Sequence, residues 1–134
     1  MIAVDSSIVI AAFATWHAAH AEAAEIIRGG PELPAHAGLE SYSVLTRLPE
    51  PTRASPDVVR AFLERAFPRV WLVPLEGTVP GLVAEFARVG IAGGATWDGL
   101  IAATARAAGA TLVTCDRRAR PVYERLGVSV RFVG

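Results

Sequence analysis

Short runs of apolar residues alternate along the chain with longer segments in which apolar residues recur at helical spacing. The short runs predict strands at residues 2–4, 33–36, 70–73, 111–115 and 128–132, and the proline in the second suits only a sheet edge. The longer segments predict helices at residues 7–13, 17–28, 38–48, 55–67, 79–89, 96–108 and 117–126. Strands that alternate with helices are typical of a parallel sheet covered on both faces, so the sequence predicts an α/β fold.

The composition fits one packed domain and excludes several kinds of chemistry. The chain has 134 residues, of which 52% are hydrophobic, enough for a single domain spanning residues 1–134. Its 13 basic residues are all arginine and are balanced by 13 acidic residues, which argues against a generic, strongly basic nucleic-acid binder. Because the chain contains no Lys, Asn or Gln, it has no Schiff-base lysine, no P-loop lysine and no side-chain amide for an oxyanion hole.

The single cysteine and the N-terminal apolar run bear on the protein's location. One cysteine, Cys115, cannot form an internal disulfide or build a zinc site, which indicates a reducing compartment. The apolar run at residues 8–14 lacks the basic flank of a signal peptide and is far shorter than the ~20 residues of a membrane span. We therefore expect a soluble, cytoplasmic protein with no membrane partner.

The acidic residues show where chemistry could take place. Asp5 and Asp116 each follow an apolar strand, and Asp98 falls in the first turn of a predicted helix. That helix covers ~18 Å in one direction and the following strand returns ~16 Å, which places Asp98 and Asp116 on the same rim of the sheet. Asp5 shares this rim in a parallel sheet, and Glu40 joins it from the start of the helix after the second strand. Each acid alone could instead be a helix-terminal charge, as Asp57 is.

Four carboxylates in one cleft repel one another and require a compensating positive charge. With no lysine available, a divalent cation is the simplest compensator, and oxygen ligands without a His or Cys cluster favour Mg²⁺ or Mn²⁺ over zinc. Such a carboxylate-held ion activates water for attack on a phosphodiester. The acidic rim therefore predicts a metal-dependent hydrolase of phosphodiesters.

Four blocks of sequence carry a resemblance to a known family. They are Ile-Ala-Val-Asp-Ser-Ser at residues 2–7, Gly-Leu-Glu-Ser-Tyr-Ser-Val-Leu at 38–45, Trp-Asp-Gly-Leu-Ile-Ala-Ala-Thr-Ala at 97–105 and Thr-Leu-Val-Thr-Cys-Asp at 111–116. In order, spacing and total length the chain resembles the PIN-domain ribonucleases, and among them the VapC-like toxins of type II toxin–antitoxin systems. The resemblance covers essentially the whole chain and is weakest between residues 50 and 95.

The resemblance implies a three-layer α/β/α PIN-like domain with a central parallel sheet, and Mg²⁺- or Mn²⁺-dependent endonucleolytic cleavage of RNA by an activated water. The implied catalytic acids are Asp5, Glu40, Asp98 and Asp116. Asp5 and Asp98 would hold the principal cation. Asp116 would complete its sphere with Glu40, orient the attacking water or recruit a second ion. Many relatives carry a further acid just after the last aspartate, where this chain has Arg117 and Arg118. This departure disfavours binding of a second ion in the absence of substrate and does not affect the first ion.

The resemblance also implies two polar helpers and several partners, while the chemistry of Arg117, Arg118 and Trp97 suggests further contacts. Ser6 and Thr114 would be polar helpers that hold a carboxylate or a metal-bound water. Arg117 and Arg118 suit phosphate oxygens of the RNA backbone, although they could equally form a solvated face. The implied partners are an RNA substrate, a cognate antitoxin whose tail occupies the cleft, and a second copy of the chain in a homodimer. Trp97 is interpreted as packing on the core, with stacking on a base as the alternative.

Other functions are less consistent with the residues. A phosphorelay receiver needs a lysine near the acidic rim, an aspartyl phosphatase usually needs an acid at position 7, and a dinucleotide fold needs a Gly-rich turn after the first strand. The remaining alternative is a PIN-like module that binds RNA or its antitoxin with little or no turnover. Its weakness is that a domain that only binds phosphate gains nothing from an acidic cleft.

Overall fold

A parallel sheet of three strands lies at the centre of the computed structural model, which describes residues 1–134. The strands are β1 (Ile2–Val4), β2 (Thr111–Thr114) and β3 (Val130–Phe132), in the order β1-β2-β3. In β2, the neighbouring side chains of Leu112 and Val113 point to opposite faces of the sheet, and both are fully buried. Both faces are therefore covered, as expected for a parallel sheet between layers of helices, and the predicted three-layer α/β/α class is confirmed.

Two of the five predicted strands are reduced to single bridges. Glu32 pairs with Ala3 of β1, and Pro34 pairs with Leu72, so these segments extend the sheet beyond β1 without forming regular strands. Pro31 and Pro34 lack the N–H groups that a ladder needs, which limits pairing there. The prediction of a buried strand at residues 70–73 is wrong, because the side chain of Val70 is 90% exposed.

Seven helices and one short turn surround the sheet. They are α1 (Ser6–Phe13), α2 (His20–Arg28), α3 (Ala35–Thr46), α4 (Pro56–Ala66), α5 (Val79–Val89), α6 (Ala95–Ala107), a 3₁₀ turn (Arg117–Ala119) and α7 (Arg120–Leu126). Ser55 caps α4 by accepting a hydrogen bond from the backbone N–H of Val58 at 3.2 Å, as its sequence predicts. Thr96, in contrast, does not cap α6, which begins one residue earlier. None of the helices is long and apolar enough to cross a membrane.

Helix α3 packs against both α1 and α6, the two helices that begin near the carboxyl ends of the strands. It contacts α1, which follows β1, and α6, which leads into β2. Its close packing against the loop before α5 depends on Gly38, since a Cβ atom there would lie 2.5 Å from the ring of Trp71. The position of α3, and therefore of Glu40, depends on this small residue.

We expect the Gly38→Ala substitution to destabilise the protein by about 1–3 kcal/mol, because the added methyl group forces the Trp71 ring or the helix to move. Gly81→Ala in α5 is the matched control, since a Cβ atom at that position meets nothing within 4 Å. There the higher helix propensity of alanine should raise stability slightly. Urea unfolding of both variants measures the difference, and equal stabilities would contradict this account of the packing.

Candidate active site

All four predicted acids line one cavity of about 730 Å³. Asp5 directly follows β1, Asp98 lies in the first turn of α6, and Asp116 lies two residues after the end of β2. Glu40 comes from the second turn of α3. The structure thus brings together carboxylates from four separate elements at the carboxyl ends of the parallel strands, where α/β sheets bind ligands.

Asp5 is buried and held by hydrogen bonds to both carboxylate oxygens. Its Oδ1 caps α1 by accepting from the backbone N–H groups of Ser7 at 3.0 Å and Ile8 at 3.4 Å. Its Oδ2 accepts from the hydroxyl of Tyr123 at 2.8 Å. Burial raises the pKa of Asp5, and the hydrogen bonds from Ser7, Thr114 and Tyr123 partly oppose that rise. The carboxylate is therefore fixed in orientation before any ligand arrives.

The hydroxyl of Ser7 connects Asp5 to the end of β2. It donates to Oδ1 of Asp5 and accepts from the backbone N–H of Cys115 at 2.9 Å. It also lies 3.2 Å from Oγ1 of Thr114, which accepts from the backbone N–H of Asp116 at 2.9 Å. Thr114 is fully buried and does not line the cavity, so its position suits orienting Asp116 rather than contacting substrate.

Glu40 is oriented by a neighbour from another helix. The hydroxyl of Ser6, the first residue of α1, donates to Oε1 of Glu40, and both side chains line the cavity. This contact joins residues 34 positions apart in the chain. Ser6 therefore lies at the site that the sequence predicts for it and positions a carboxylate there.

Asp98 experiences the charge of the other three acids. Burial raises its pKa to about 6, and the neighbouring charges of Glu40, Asp116 and Asp5 contribute in the same direction. Arg118 opposes the shift only weakly. As it stands, the cleft holds no group of three or more His, Cys, Asp or Glu side chains arranged to hold a metal ion. The carboxylates share a cavity and repel one another without forming a closed set of ligands.

The two predicted phosphate-binding arginines occupy different places. Arg118 lines the cavity, its side chain is 94% exposed, and its Nε lies 3.4 Å from Oδ1 of Asp116. Arg117 instead lies over the ring of Phe132, with 5.5 Å between its guanidinium carbon and the ring centroid. Arg120 covers the same ring at 4.0 Å. Of the two predicted arginines, only Arg118 is placed to meet a ligand in the cleft.

Sequence reasoning missed three residues at the site and misplaced a fourth. Ser7 follows Asp5 at the two-residue spacing of a side-chain cap, which was an available signal. Tyr123 gives no local signal, because it lies 118 positions from the carboxylate that it contacts. His17 lines the cavity and its Nδ1 accepts from the backbone N–H of Ala19. The interpretation of Trp97 as a core residue is wrong, since its side chain is 49% exposed.

We expect Tyr123→Phe to lower the free energy of unfolding by about 1–3 kcal/mol, because it removes a hydrogen bond to a buried carboxylate. The loss should also raise the pKa of Asp5 further and move the acid limb of the activity–pH profile upward. Tyr42→Phe serves as the control, since that side chain is partly exposed on α3. Unchanged stability and an unchanged pH profile in Tyr123→Phe would show that this contact supports neither the fold nor Asp5.

Comparisons with known proteins agree over the full chain. A family model described as PIN domain matches residues 2–125. The protein named Ribonuclease VapC40 of Mycobacterium tuberculosis (strain ATCC 25618 / H37Rv) is 46% identical over 133 residues, which cover 99% of each chain. Ribonuclease VapC27 of the same strain is 39% identical over 132 residues, covering 96% of this chain and 94% of the relative. The structure titled FitAcB from Neisseria gonorrhoeae shares the fold with a TM-score of 0.68 at 18% identity, covering 99% of this chain and 97% of that one.

Proposed function

The chain belongs to the PIN-domain family, and from this premise we propose that it is a toxin of the VapC type that hydrolyses RNA with a divalent cation in the acidic cleft. Ribonuclease function is supported by similarity over nearly the whole chain to two proteins named as VapC ribonucleases, 46% and 39% identical. The observation that supports the chemistry is the arrangement of Asp5, Glu40, Asp98 and Asp116 around one cavity.

The residues of the cleft fit Mg²⁺ or Mn²⁺ by their chemistry. All four acidic groups offer carboxylate oxygens, the ligands that these hard cations prefer. Burial raises the pKa of Asp98 and the charges of Glu40, Asp116 and Asp5 add to the rise, so a cation in the cleft would offset their mutual repulsion. In this proposal Asp5, Asp98 and Asp116 hold the ion, and Glu40 completes the set. When bound, the ion would activate water and stabilise the negative charge that develops during phosphodiester hydrolysis.

Each side chain has a separate task in the proposed reaction. Asp5 is a fixed carboxylate, because hydrogen bonds hold both of its oxygens. Asp98 carries a negative charge at neutral pH, since that pH lies above its pKa of about 6. Glu40, oriented by Ser6, positions the attacking water, and the exposed guanidinium of Arg118 contacts a phosphate of the RNA.

A PIN-like module that binds RNA or an antitoxin with little turnover is the second candidate. The acidic cleft speaks against it, because four carboxylates repel a polyanion unless a cation compensates them. A pure binding module would gain from replacing these acids, whereas a nuclease would lose its activity.

Calorimetric titration with Mn²⁺ and Mg²⁺ tests the metal site separately from catalysis. We expect saturable binding by the wild type and a loss of about tenfold or more in affinity for Asp98→Asn. Asp57→Asn is the matched control, because Asp57 lies at the start of α4 with its side chain 92% exposed. Equal affinities of the three proteins would place the ion elsewhere and contradict the proposed site.

We further propose that the protein is cytoplasmic, forms a homodimer and is inhibited by a cognate antitoxin. An exposed apolar stretch supports a protein partner, since side chains along one segment are more than half exposed: Val70, Val73, Leu75, Val79 and Val83. Light scattering of the purified protein should give the mass of two chains. The mass of one chain at micromolar concentration would contradict the homodimer.

A further inference from the structure

We propose that Trp97 and His36 form a stacking subsite for one nucleobase of the RNA, beside the acidic cleft. The inference rests on the proposed function, because it assumes that single-stranded RNA lies across this cleft. The proposal gives a binding role to two side chains that belong neither to the four acids nor to the residues hydrogen-bonded to them.

The two rings form an ordered pair with one open face. Their centroids lie 5.1 Å apart and their planes differ by 19°, which is a stacked arrangement. His36 therefore supports one face of the indole and holds it in a defined orientation. Because the side chain of Trp97 is still 49% exposed, its other face is open to solvent. An exposed, oriented aromatic face is the element on which proteins stack single-stranded bases.

The pair is attached to the same helices as two of the acids. Trp97 directly precedes Asp98 in the first turn of α6. His36 lies one helical turn before Glu40 on α3, so their side chains share a face about 6 Å apart along the axis. A base stacked on Trp97 would thus belong to a nucleotide beside the cleft, since Trp97 adjoins one of its acids in sequence and His36 lies one helical turn from another.

The charge of the cleft explains why such a subsite is needed. Arg118 is the only arginine among the residues that line the acidic cavity, and it already lies beside Asp116. Apart from Arg118 and the cation of the proposed function, the cleft offers the phosphates no positive charge, in contrast to most nucleic-acid sites. Stacking requires no charge and tolerates any base, so it can supply affinity where the electrostatic field is unfavourable.

Cleavage of oligoribonucleotides that carry one abasic position tests the subsite directly. A cleavage site is first mapped by incubating the wild type with bulk transfer or ribosomal RNA. Short RNAs that span this site are then synthesised, each with the abasic residue at a different position near the cleaved bond. We expect one position at which loss of the base lowers kcat/KM of the wild type by about tenfold. On the intact RNA, Trp97→Ala should lower kcat/KM by a similar factor. At that one position, the abasic residue should cause no further loss in Trp97→Ala. Trp97→Phe should recover most of the activity on the intact RNA.

Leu39→Ala is the matched control, because Leu39 is an exposed apolar residue of α3 without an aromatic ring. The subsite would be overturned if the losses from Trp97→Ala and from the abasic residue were additive at every position. Full activity of Trp97→Ala on the intact RNA would overturn it as well. A changed molecular mass of Trp97→Ala in light scattering would overturn it in favour of a contact between protein chains.

Fluorescence separates a failure of the subsite from a failure of the proposed function. The slowly cleaving Asp5→Asn protein, titrated in Mg²⁺ with polyuridylic acid, should show quenching that an added Trp97→Phe abolishes and an added Trp16→Phe retains. Quenching without cleavage of any RNA would contradict the nuclease and leave the subsite in place. Cleavage without quenching from Trp97 would contradict the subsite alone.

Discussion

The Asp5→Asn variant is expected to keep the fold and to cleave RNA at least about a hundredfold more slowly than the wild type. Asparagine has the same shape as aspartate and is an equally good helix cap, so the backbone N–H groups of Ser7 and Ile8 keep their acceptor. The substitution removes the negative charge of the most rigidly held carboxylate in the cleft. Loss of a metal-binding charge costs several kcal/mol of transition-state stabilisation, and each 1.36 kcal/mol corresponds to about tenfold in rate.

Single-turnover cleavage of RNA at saturating Mn²⁺ measures this effect, with circular dichroism as the check on folding. Asp57→Asn makes the same chemical change on the exposed start of α4 and should retain full activity. An Asp5→Asn variant that is folded and as active as the wild type would show that the catalytic centre lies elsewhere.

Asp98→Asn should make the metal-free protein more stable at neutral pH while it removes activity. The pKa of Asp98 is raised to about 6 in the folded state from 3.8, so the unfolded chain loses this proton first as the pH rises. The contribution of Asp98 to stability is therefore present below pH 3.8 and is lost as the pH rises through 6. At pH 7.5 the folded wild type holds a partly buried charge that its neighbours also repel, and asparagine removes both the cost of burial and the repulsion.

The expected gain in melting temperature at neutral pH is roughly 4 °C, the shift produced by about 1 kcal/mol after allowance for solvent screening of a partly exposed group. The wild type and Asp98→Asn should converge as the pH falls toward 4, where the carboxyl group is protonated. An acid in the first turn of a helix is normally stabilising, so the gain shows that burial and repulsion outweigh the helix dipole. A neutral-pH melting temperature of Asp98→Asn below that of the wild type would contradict this.

The sequence was sufficient to locate the acidic cleft because simple geometry constrains it. A helix and the strand that follows it cover nearly equal distances in opposite directions, so Asp98 and Asp116 had to return to the same rim. Asp5 and Glu40 follow from the rule that parallel strands end on one side of the sheet. The positions of all four acids therefore depend only on local spacing and on the lengths of the elements, which the sequence records directly.

Contacts between distant residues could not be predicted in this way. The hydroxyl of Tyr123 reaches Asp5 from α7, which packs against α6, and no pattern around either residue shows this contact. The strand predicted at residues 70–73 failed for a related reason, since an apolar run predicts burial only when another element covers it. Val70 and Val73 remain exposed, whereas Trp71 and Leu72 between them are partly buried against the core.

Exposure also determines how Trp97 is interpreted. From the sequence a tryptophan beside a helix start is most simply a core residue, because burying a large ring is favourable. In the structure, Gly99 two residues later is the position that packs inward, against Phe86. Trp97 is turned outward on to His36 instead. That arrangement depends on which face of α6 meets α5, and the short alanine-rich pattern does not specify it.

Metal-dependent cleavage of RNA by the purified protein shows directly whether this acidic cleft is a nuclease site. Purified protein is stripped of metal, mixed with structured RNA, and supplied with Mn²⁺ or Mg²⁺, with Asp5→Asn purified and assayed in parallel. We expect no cleavage without metal, cleavage by the wild type when metal is restored, and none by the variant. Cleavage that persists in chelator, or equal cleavage by Asp5→Asn, would contradict the proposed nuclease site.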